Sequence, residues 1–273
     1  MTYPDKQADN TAPALCWRED GIAHIRFNRP AALNAIDVPM ARAFFDGCRR
    51  IAADAEVRVV VLSGEGRAFM AGGDIAAMRD DPQAVAKDLI AGMHGGIEIL
   101  AGLPVPVIAS VHGVVAGGGL GLALVCDLGI AAEGTRFNLA YPRLGASSDC
   151  ATSWALPRLL GLRKALEIAL LSEPVDAHEA LRLGLVNRVV PADQLVQQTL
   201  AMARKLAEGP REALGRMKRL IRESAQRDLR GQLDAEAESF LVCAGTPDFA
   251  EGLKAFMEKR APRFGQDAGQ RVT

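Results

Sequence analysis

Residues 105–127, VPVIASVHGVVAGGGLGLALVCD, decide how the chain is read. An apolar run rich in β-branched residues gives way to Gly117, Gly118 and Gly119, then resumes as an apolar run of helical length. Strand, glycine turn, helix is the order that leaves unpaired backbone N–H groups at a helix N-terminus, where negative charge is favoured. Glycine lets a ligand come up against that backbone with no Cβ in the way. The stretch predicts a site for an anion, or for a charge that develops during a reaction.

Working outward, residues 21–28 (GIAHIRFN) alternate and read as a strand, and a helix follows over about 38–53. Residues 57–62 (VRVVVL) form a near-continuous β-branched run, the pattern of a strand buried on both faces. A second glycine turn follows in FMAGGDIAAM, residues 69–78. Residues 82–100 read as a helix weakened in the middle by Gly92, Gly95 and Gly96. Residues 127–132 and 135–140 read as short strands, and a loop over 141–148 leads to a helix starting near Asp149 or Cys150. Helices at 163–171, 176–183 and 192–208 flank a short strand at 186–190, and everything from 210 to 259 reads as helical. The expectation is an α/β core with a helical C-terminal appendage. The expected divisions are a disordered segment 1–13, a core 14–205, a helical region 206–264 and a flexible tail 265–273.

Bulk properties narrow the function. A net charge of −1 on 273 residues gives no electrostatic case for nucleic acid or a membrane surface. No apolar run has the length of a spanning helix or follows a basic start. The five cysteines are scattered and never spaced C-x-x-C, which argues against a disulfide framework or zinc site and for a reducing, cytoplasmic setting. The dinucleotide pattern G-x-G-x-x-G fails at Leu122, no Gly-Lys pair offers a phosphate loop, H-E-x-x-H is absent, and G-x-S-x-G fails at Asp149. What remains is a pair of strand-to-helix glycine turns, Ala71-Gly72-Gly73-Asp74 and Ala116-Gly117-Gly118-Gly119. They read either as tight turns with close helix packing or as two N–H donors converging on one oxyanion.

In order and spacing, NRPAALNAID, VRVVVLSGEGRAFMAGGDIAAM, VPVIASVHGVVAGGGLGLALVCDLGIA and ALRLGLVNRVV resemble the crotonase (enoyl-CoA hydratase/isomerase) superfamily, from about Ala14 to Phe264. The resemblance implies a crotonase-like ββα spiral with a C-terminal helical trimerisation region, and a homotrimer or dimer of trimers. It implies an acyl-CoA thioester as substrate, its carbonyl held by the N–H groups of Gly73 and Gly118, with no metal or redox cofactor. It puts pantetheine and adenine along the segments of Ala32, Asn34 and Ala35 and of Ala71, Gly72, Asp74 and Ile75, next to Gly117. Phe256 and Lys259 match residues that reach CoA, often across a subunit interface. Many members carry Lys where this chain has Ala32, and Arg29 and Arg79 are candidate substitutes or plain surface charges.

Typical hydratases of the superfamily have two glutamates, and the matching positions here are Gly121 and Tyr141. Glycine does no acid–base work, and tyrosine, with an ordinary pKa near ~10, is a poor base at neutral pH. The carboxylate in the right neighbourhood is Asp149, in LGASSDCATSWALPRLLG. It reads either as a helix N-cap or, by resemblance to isomerases with an acidic residue here, as the single acid/base that shifts a double bond or opens a ring. Dehalogenases of the superfamily use an Asp here as nucleophile and a histidine matching His94, which otherwise reads as packed or surface. The alternatives are therefore a hydratase with non-standard residues, a dehalogenase or hydrolase, and a non-catalytic acyl-CoA-binding member. Trp154 and Met93 are candidate acyl-pocket residues or ordinary core. Cys150 lacks a basic neighbour in sequence and does not read as a nucleophile. His24 and His178 read as structural or surface, and His112 as bonding to a turn.

Overall fold

The computed structural model describes residues 11–265. Most of the leader expected over 1–13 and most of the tail expected over 265–273 lie outside the described residues. Within that leader, the Ala12 and Pro13 carbonyls accept hydrogen bonds from Asn28 at 3.1 and 2.8 Å, so these two residues are tied to the core.

An antiparallel hairpin of β1 (Ala14–Glu19) and β2 (Ile22–Phe27) opens the fold. There follow α1 (Val38–Ala52), β3 (Val59–Gly64), α2 (Pro82–Gly102), β4 (Val107–Val111), β5 (Val114–Ala116) and α3 (Gly118–Val125). Next come β6 (Leu128–Ala132), β7 (Arg136–Asn138), α4 (Thr152–Leu160), α5 (Leu162–Leu171), β8 (Val175–Asp176) and α6 (Ala177–Leu183). β9 (Arg188–Val190) and α7 (Leu195–Ala207) close the core, and α8 (Arg211–Glu223), α9 (Leu229–Ala244) and α10 (Pro247–Met257) form the helical C-terminal region. The sequence reading has no strand at β1, because ALCWRE lacks a clear alternation; the segment is recruited as the antiparallel edge of a sheet ordered β1-β2-β3-β4-β6-β9. From β2 onward that sheet is parallel. A smaller sheet is ordered β5-β7-β8.

The two sheets are built by repetition. After each of β2, β3, β4 and β6 the chain crosses to the small sheet, or to an isolated bridge beside it, before running into a helix. Met70 pairs in parallel with Val115, and β5 pairs in parallel with β7. Gly73 and Gly118 sit at the same offset beyond Met70 and Val115, so successive turns of the spiral deliver them side by side.

The large sheet is covered on both faces. One face carries Ala23, Ile25, Val60 and Leu62 into the main core with α1 and α2, and the other packs Ile22, Val59, Val61 and Ile108 against Ala203 and Ala207 of α7. The glycines that weaken the helical pattern of α2 are its contact points with α1. A Cβ on Gly92 would stand 2.9 Å from the Ala41 backbone, and one on Gly96 2.3 Å from the Phe44 ring. Helix propensity is overridden there by close packing.

Helix α8 is bolted onto the core. The Lys218 side chain is only 7% exposed and meets Asp127 at 2.9 Å, Val105 O at 3.0 Å and Leu100 O at 3.2 Å. Arg222 binds the other carboxylate oxygen at 2.7 Å, and the Val107 N–H donates to Asp127 Oδ2 at 2.8 Å. Removing one partner of a buried ion pair costs about 3–5 kcal/mol, because the remaining charge is stranded. Asp127→Asn, which strands two cations, is expected to fall in that range by urea denaturation. A midpoint equal to that of the unaltered protein would mean that both cations are solvated.

Candidate active site

The two glycine turns meet backbone to backbone. Ile36 and Gly73 form a parallel bridge, in which Ile36 N–H donates to Gly72 O at 2.8 Å and Asp74 N–H to Ile36 O at 2.9 Å. The Gly73 N–H lies between those bonds and points the other way, as alternation along an extended strand requires. Gly118 is the first residue of α3, where an N–H has no intrahelical acceptor. Among the described residues neither N–H has a protein partner. Gly72 and Gly117, one residue ahead of each donor, are in contact: a Cβ on Gly117 would stand 3.3 Å from the Gly72 Cα. Their φ values of +99° and +51° demand glycine independently of that contact.

Asp149 lies beside Gly118 of this pair. Its Oδ1 is 3.7 Å from where a Gly118 Cβ would stand, beside Cys150 Sγ at 3.0 Å and Ile36 Cδ1 at 3.1 Å. The Tyr141 hydroxyl donates to the same Oδ1. The reading of Asp149 as a helix cap fails. Helix α4 begins at Thr152, and the residue before it, Ala151, has φ 61° and makes no side-chain cap. The Asp149 backbone carbonyl, not its carboxylate, accepts from Thr152 N–H at 3.0 Å and Thr152 Oγ1 at 2.9 Å. Cys150 is left-handed too, at φ 48°. Two such non-glycine residues store of order 1–3 kcal/mol each, and the corner they make turns the carboxylate away from the helix axis. His94 helps to hold it: its Nε2 lies 3.2 Å from the Cys150 N–H and accepts from it, which assigns the proton to Nδ1.

A family model described as enoyl-CoA hydratase/isomerase matches residues 18–267. The chain belongs to the enoyl-CoA hydratase/isomerase family. It is 35% identical over 252 residues to the 1,2-epoxyphenylacetyl-CoA isomerase of Escherichia coli, covering 90% of this chain and 95% of that one. It is 32% identical to the 4-chlorobenzoyl coenzyme A dehalogenase-2 of Arthrobacter sp, covering 88% of each. The crystal structure of an enoyl-CoA hydratase from Bacillus anthracis superposes with a TM-score of 0.88 at 30% identity, over 93% of this chain and 100% of that one. The expected crotonase-like fold is thereby established, and the chain is an enzyme of an acyl-CoA-acting family. The relatives are named for an isomerase, a dehalogenase and a hydratase, so the reaction has to be read from this chain's own residues.

The hydratase position at Gly121 is occupied by backbone. A Cβ there would stand 2.2 Å from Cys150 O and 2.4 Å from Thr152 Oγ1. The corner that presents Asp149 thus fills the space a family glutamate would need. Burial first, then the Asp149 charge, push both the Tyr141 hydroxyl and the Cys150 thiol well above their ordinary values. Both stay protonated at neutral pH. A raised thiol pKa means less thiolate at any given pH, so iodoacetamide at pH 8 is expected to label Cys150 more slowly than an exposed peptide thiol. Rapid Cys150 labelling, read by peptide mass spectrometry, would contradict this.

The segments expected to line CoA are brought together: Ala71 N–H donates to Leu33 O at 3.1 Å, so the stretch of Ala32, Asn34 and Ala35 runs beside Ala71, Gly72, Asp74 and Ile75. Within them, Asn34 is spent on the fold. Its side chain donates to Glu65 O at 2.9 Å and Ala68 O at 2.7 Å and accepts from Arg29 N–H at 2.8 Å. Arg29 is likewise committed, to Asp37 at 3.1 Å and Asp74 at 3.0 Å, which removes it as a phosphate ligand. Arg79 and Ile75 are exposed.

Other candidates separate from the site. Trp154 lines a cavity of about 360 Å³ with Pro104 and α8, its ring under the Arg158 guanidinium at 4.1 Å, so it does not line the glycine turns. Met93 is buried core. Phe256, at the end of α10, is 85% exposed, and Lys259, in the turn just past that helix, is exposed. His112 bonds the Gly66 carbonyl at 2.8 Å, as a turn residue should, and His24 stacks on Trp17 at 4.7 Å. A cavity of about 610 Å³ borders His24, Ser63 and Thr199 on the α7 face of the large sheet, away from the glycine turns. Among the described residues no group of three or more His, Cys, Asp or Glu side chains is placed to hold a metal ion, and no helix is long and apolar enough to cross a membrane. The sequence reading missed Ile36 and the Cys150 side chain as neighbours of Gly118, since nothing in their types marks them.

Proposed function

We propose that this enzyme shifts the double bond of an enoyl-CoA thioester, with Asp149 as its one acid/base. The Gly73 and Gly118 N–H groups receive the thioester oxygen and strengthen their hold as negative charge grows there, each contributing roughly 2.7–4 kcal/mol in the transition state. Asp149 takes the proton from Cα of a 3-enoyl thioester, the electron pair spreads through the dienolate onto that oxygen, and return of the proton to Cγ leaves the 2-enoyl product. The observation that carries this reading is a carboxylate 3.7 Å from the Gly118 Cβ position, in a corner that leaves no room for a second acid at Gly121. Hydration needs two groups, one for water and one for the α-carbon. Hydrolysis through an Asp149 ester needs a base for water, and the His94 Nε2 is engaged by Cys150 N–H.

The assembly proposed with it is a homotrimer or dimer of trimers. Leu233, Leu241, Phe256 and Met257 on α9 and α10 are exposed apolar side chains that a second copy would cover, bringing Phe256 and Lys259 to a neighbour's CoA. All five cysteines are unpaired, which fits a cytoplasmic setting. The test of the reaction is formation of conjugated 2-enoyl-CoA from 3-enoyl-CoA by the unaltered protein and by Asp149→Asn. Incorporation of solvent ¹⁸O into a 3-hydroxyacyl-CoA, without bond migration, would overturn the reading in favour of hydration.

A further inference from the structure

Tyr141 occupies the position of the second hydratase glutamate, yet it is bonded to Asp149. Three observations fix its place. Its hydroxyl donates to Asp149 Oδ1. Its ring Cζ lies 4.0 Å from where a Gly117 Cβ would stand, so the ring bridges the glycine turn and the carboxylate. Its backbone is braced from below: the preceding Ala140, left-handed at φ 64°, donates its N–H to Asn138 Oδ1 at 2.8 Å and Ser172 Oγ at 3.1 Å.

We propose that Tyr141 is a positioning residue that pins one oxygen of Asp149, so that the other oxygen both removes the proton and returns it. This rests on the reading of Asp149 as the acid/base. With Oδ1 held by a donor, the carboxylate does not rotate between the two half-reactions. The proton taken from Cα stays on Oδ2, no water or second acid intervenes, and the same proton reaches Cγ. The C–H electron pair enters the dienolate on the first step and forms the new Cγ–H bond on the second, so nothing is left to a co-reactant. The hydroxyl is a donor throughout, because burial and the adjacent carboxylate keep it protonated.

The test is turnover of 3-enoyl-CoA in D₂O by the full chain, Tyr141→Phe and Asp149→Asn, with thermal unfolding to confirm that each variant is folded. Tyr141→Phe keeps the ring. It is expected to lower kcat by about 10-fold or more with KM little changed, the pattern of a residue that acts on the reaction step and not on substrate binding, and to raise the deuterium content at Cγ severalfold. An inert Asp149→Asn beside a Tyr141→Phe that matches the unaltered protein in both kcat and deuterium would overturn the pinning alone. Full turnover by Asp149→Asn would overturn the acid/base reading and the pinning with it. A Tyr141→Phe that loses kcat with no gain of deuterium would also overturn the pinning, since lost packing alone predicts that pattern.

Discussion

Asp149→Asn is expected to bind acyl-CoA and to lose turnover of 3-enoyl-CoA by roughly 10²–10⁴-fold, the usual range for removing a positioned acid or base. The amide is isosteric and its oxygen still accepts from Tyr141, so the corner at Cys150 and Ala151 has no reason to move. The proposed grips on the thioester would remain as well, because the Gly73 and Gly118 N–H groups belong to the backbone. KM should therefore change little while kcat falls, the pattern of an interaction that acts on the reaction and not on binding. Measurement of both constants, with a substrate-independent check of acyl-CoA affinity, decides the matter. Undiminished kcat would remove Asp149 from the chemistry and leave the carboxylate a structural partner of Tyr141.

The parts of this site that are written in local pattern were legible in advance, and the parts set by strained backbone were not. The Gly117–Gly119 turn announces itself because glycine between an apolar strand and an apolar helix has few other uses. β3 is legible because a β-branched run needs burial on both faces. Asp149 was ambiguous for a physical reason. Whether it caps α4 or faces Gly118 depends on φ values of 48° at Cys150 and 61° at Ala151, and neither residue type favours that region. Arg29 reads as a free cation until the fold brings Asp37 and Asp74 beside it. Trp154 is three residues past Ala151, yet it lines a cavity with Pro104 and α8, because it sits on α4, which begins only at Thr152, beyond the corner that carries the carboxylate.

Restoring the family's hydratase glutamate, Gly121→Glu, is expected to produce neither a hydratase nor an isomerase. Gly121 lies in the interior of α3, where replacing glycine by a residue with a Cβ ordinarily stabilises a helix by roughly 0.5–1 kcal/mol. Here the sign should reverse. The first atom of any side chain would stand 2.2 Å from Cys150 O and 3.0 Å from Cys150 C, and a backbone carbonyl, unlike the tip of a flexible side chain, does not step aside cheaply. Overpacking of this kind costs about 1–3 kcal/mol or more, so Gly121→Ala alone should lower the unfolding midpoint, and Gly121→Glu should lower it further. The corner that must yield is the one that carries Asp149, and a misplacement of about 1 Å in a reacting group is enough for a loss near 10²-fold. Isomerase turnover should therefore fall in step with stability along the series Gly, Ala, Glu, while hydration of 2-enoyl-CoA stays at background. A Gly121→Glu protein that hydrates 2-enoyl-CoA would mean that the corner relaxes without cost, and that filling this space is not what bars the second acid.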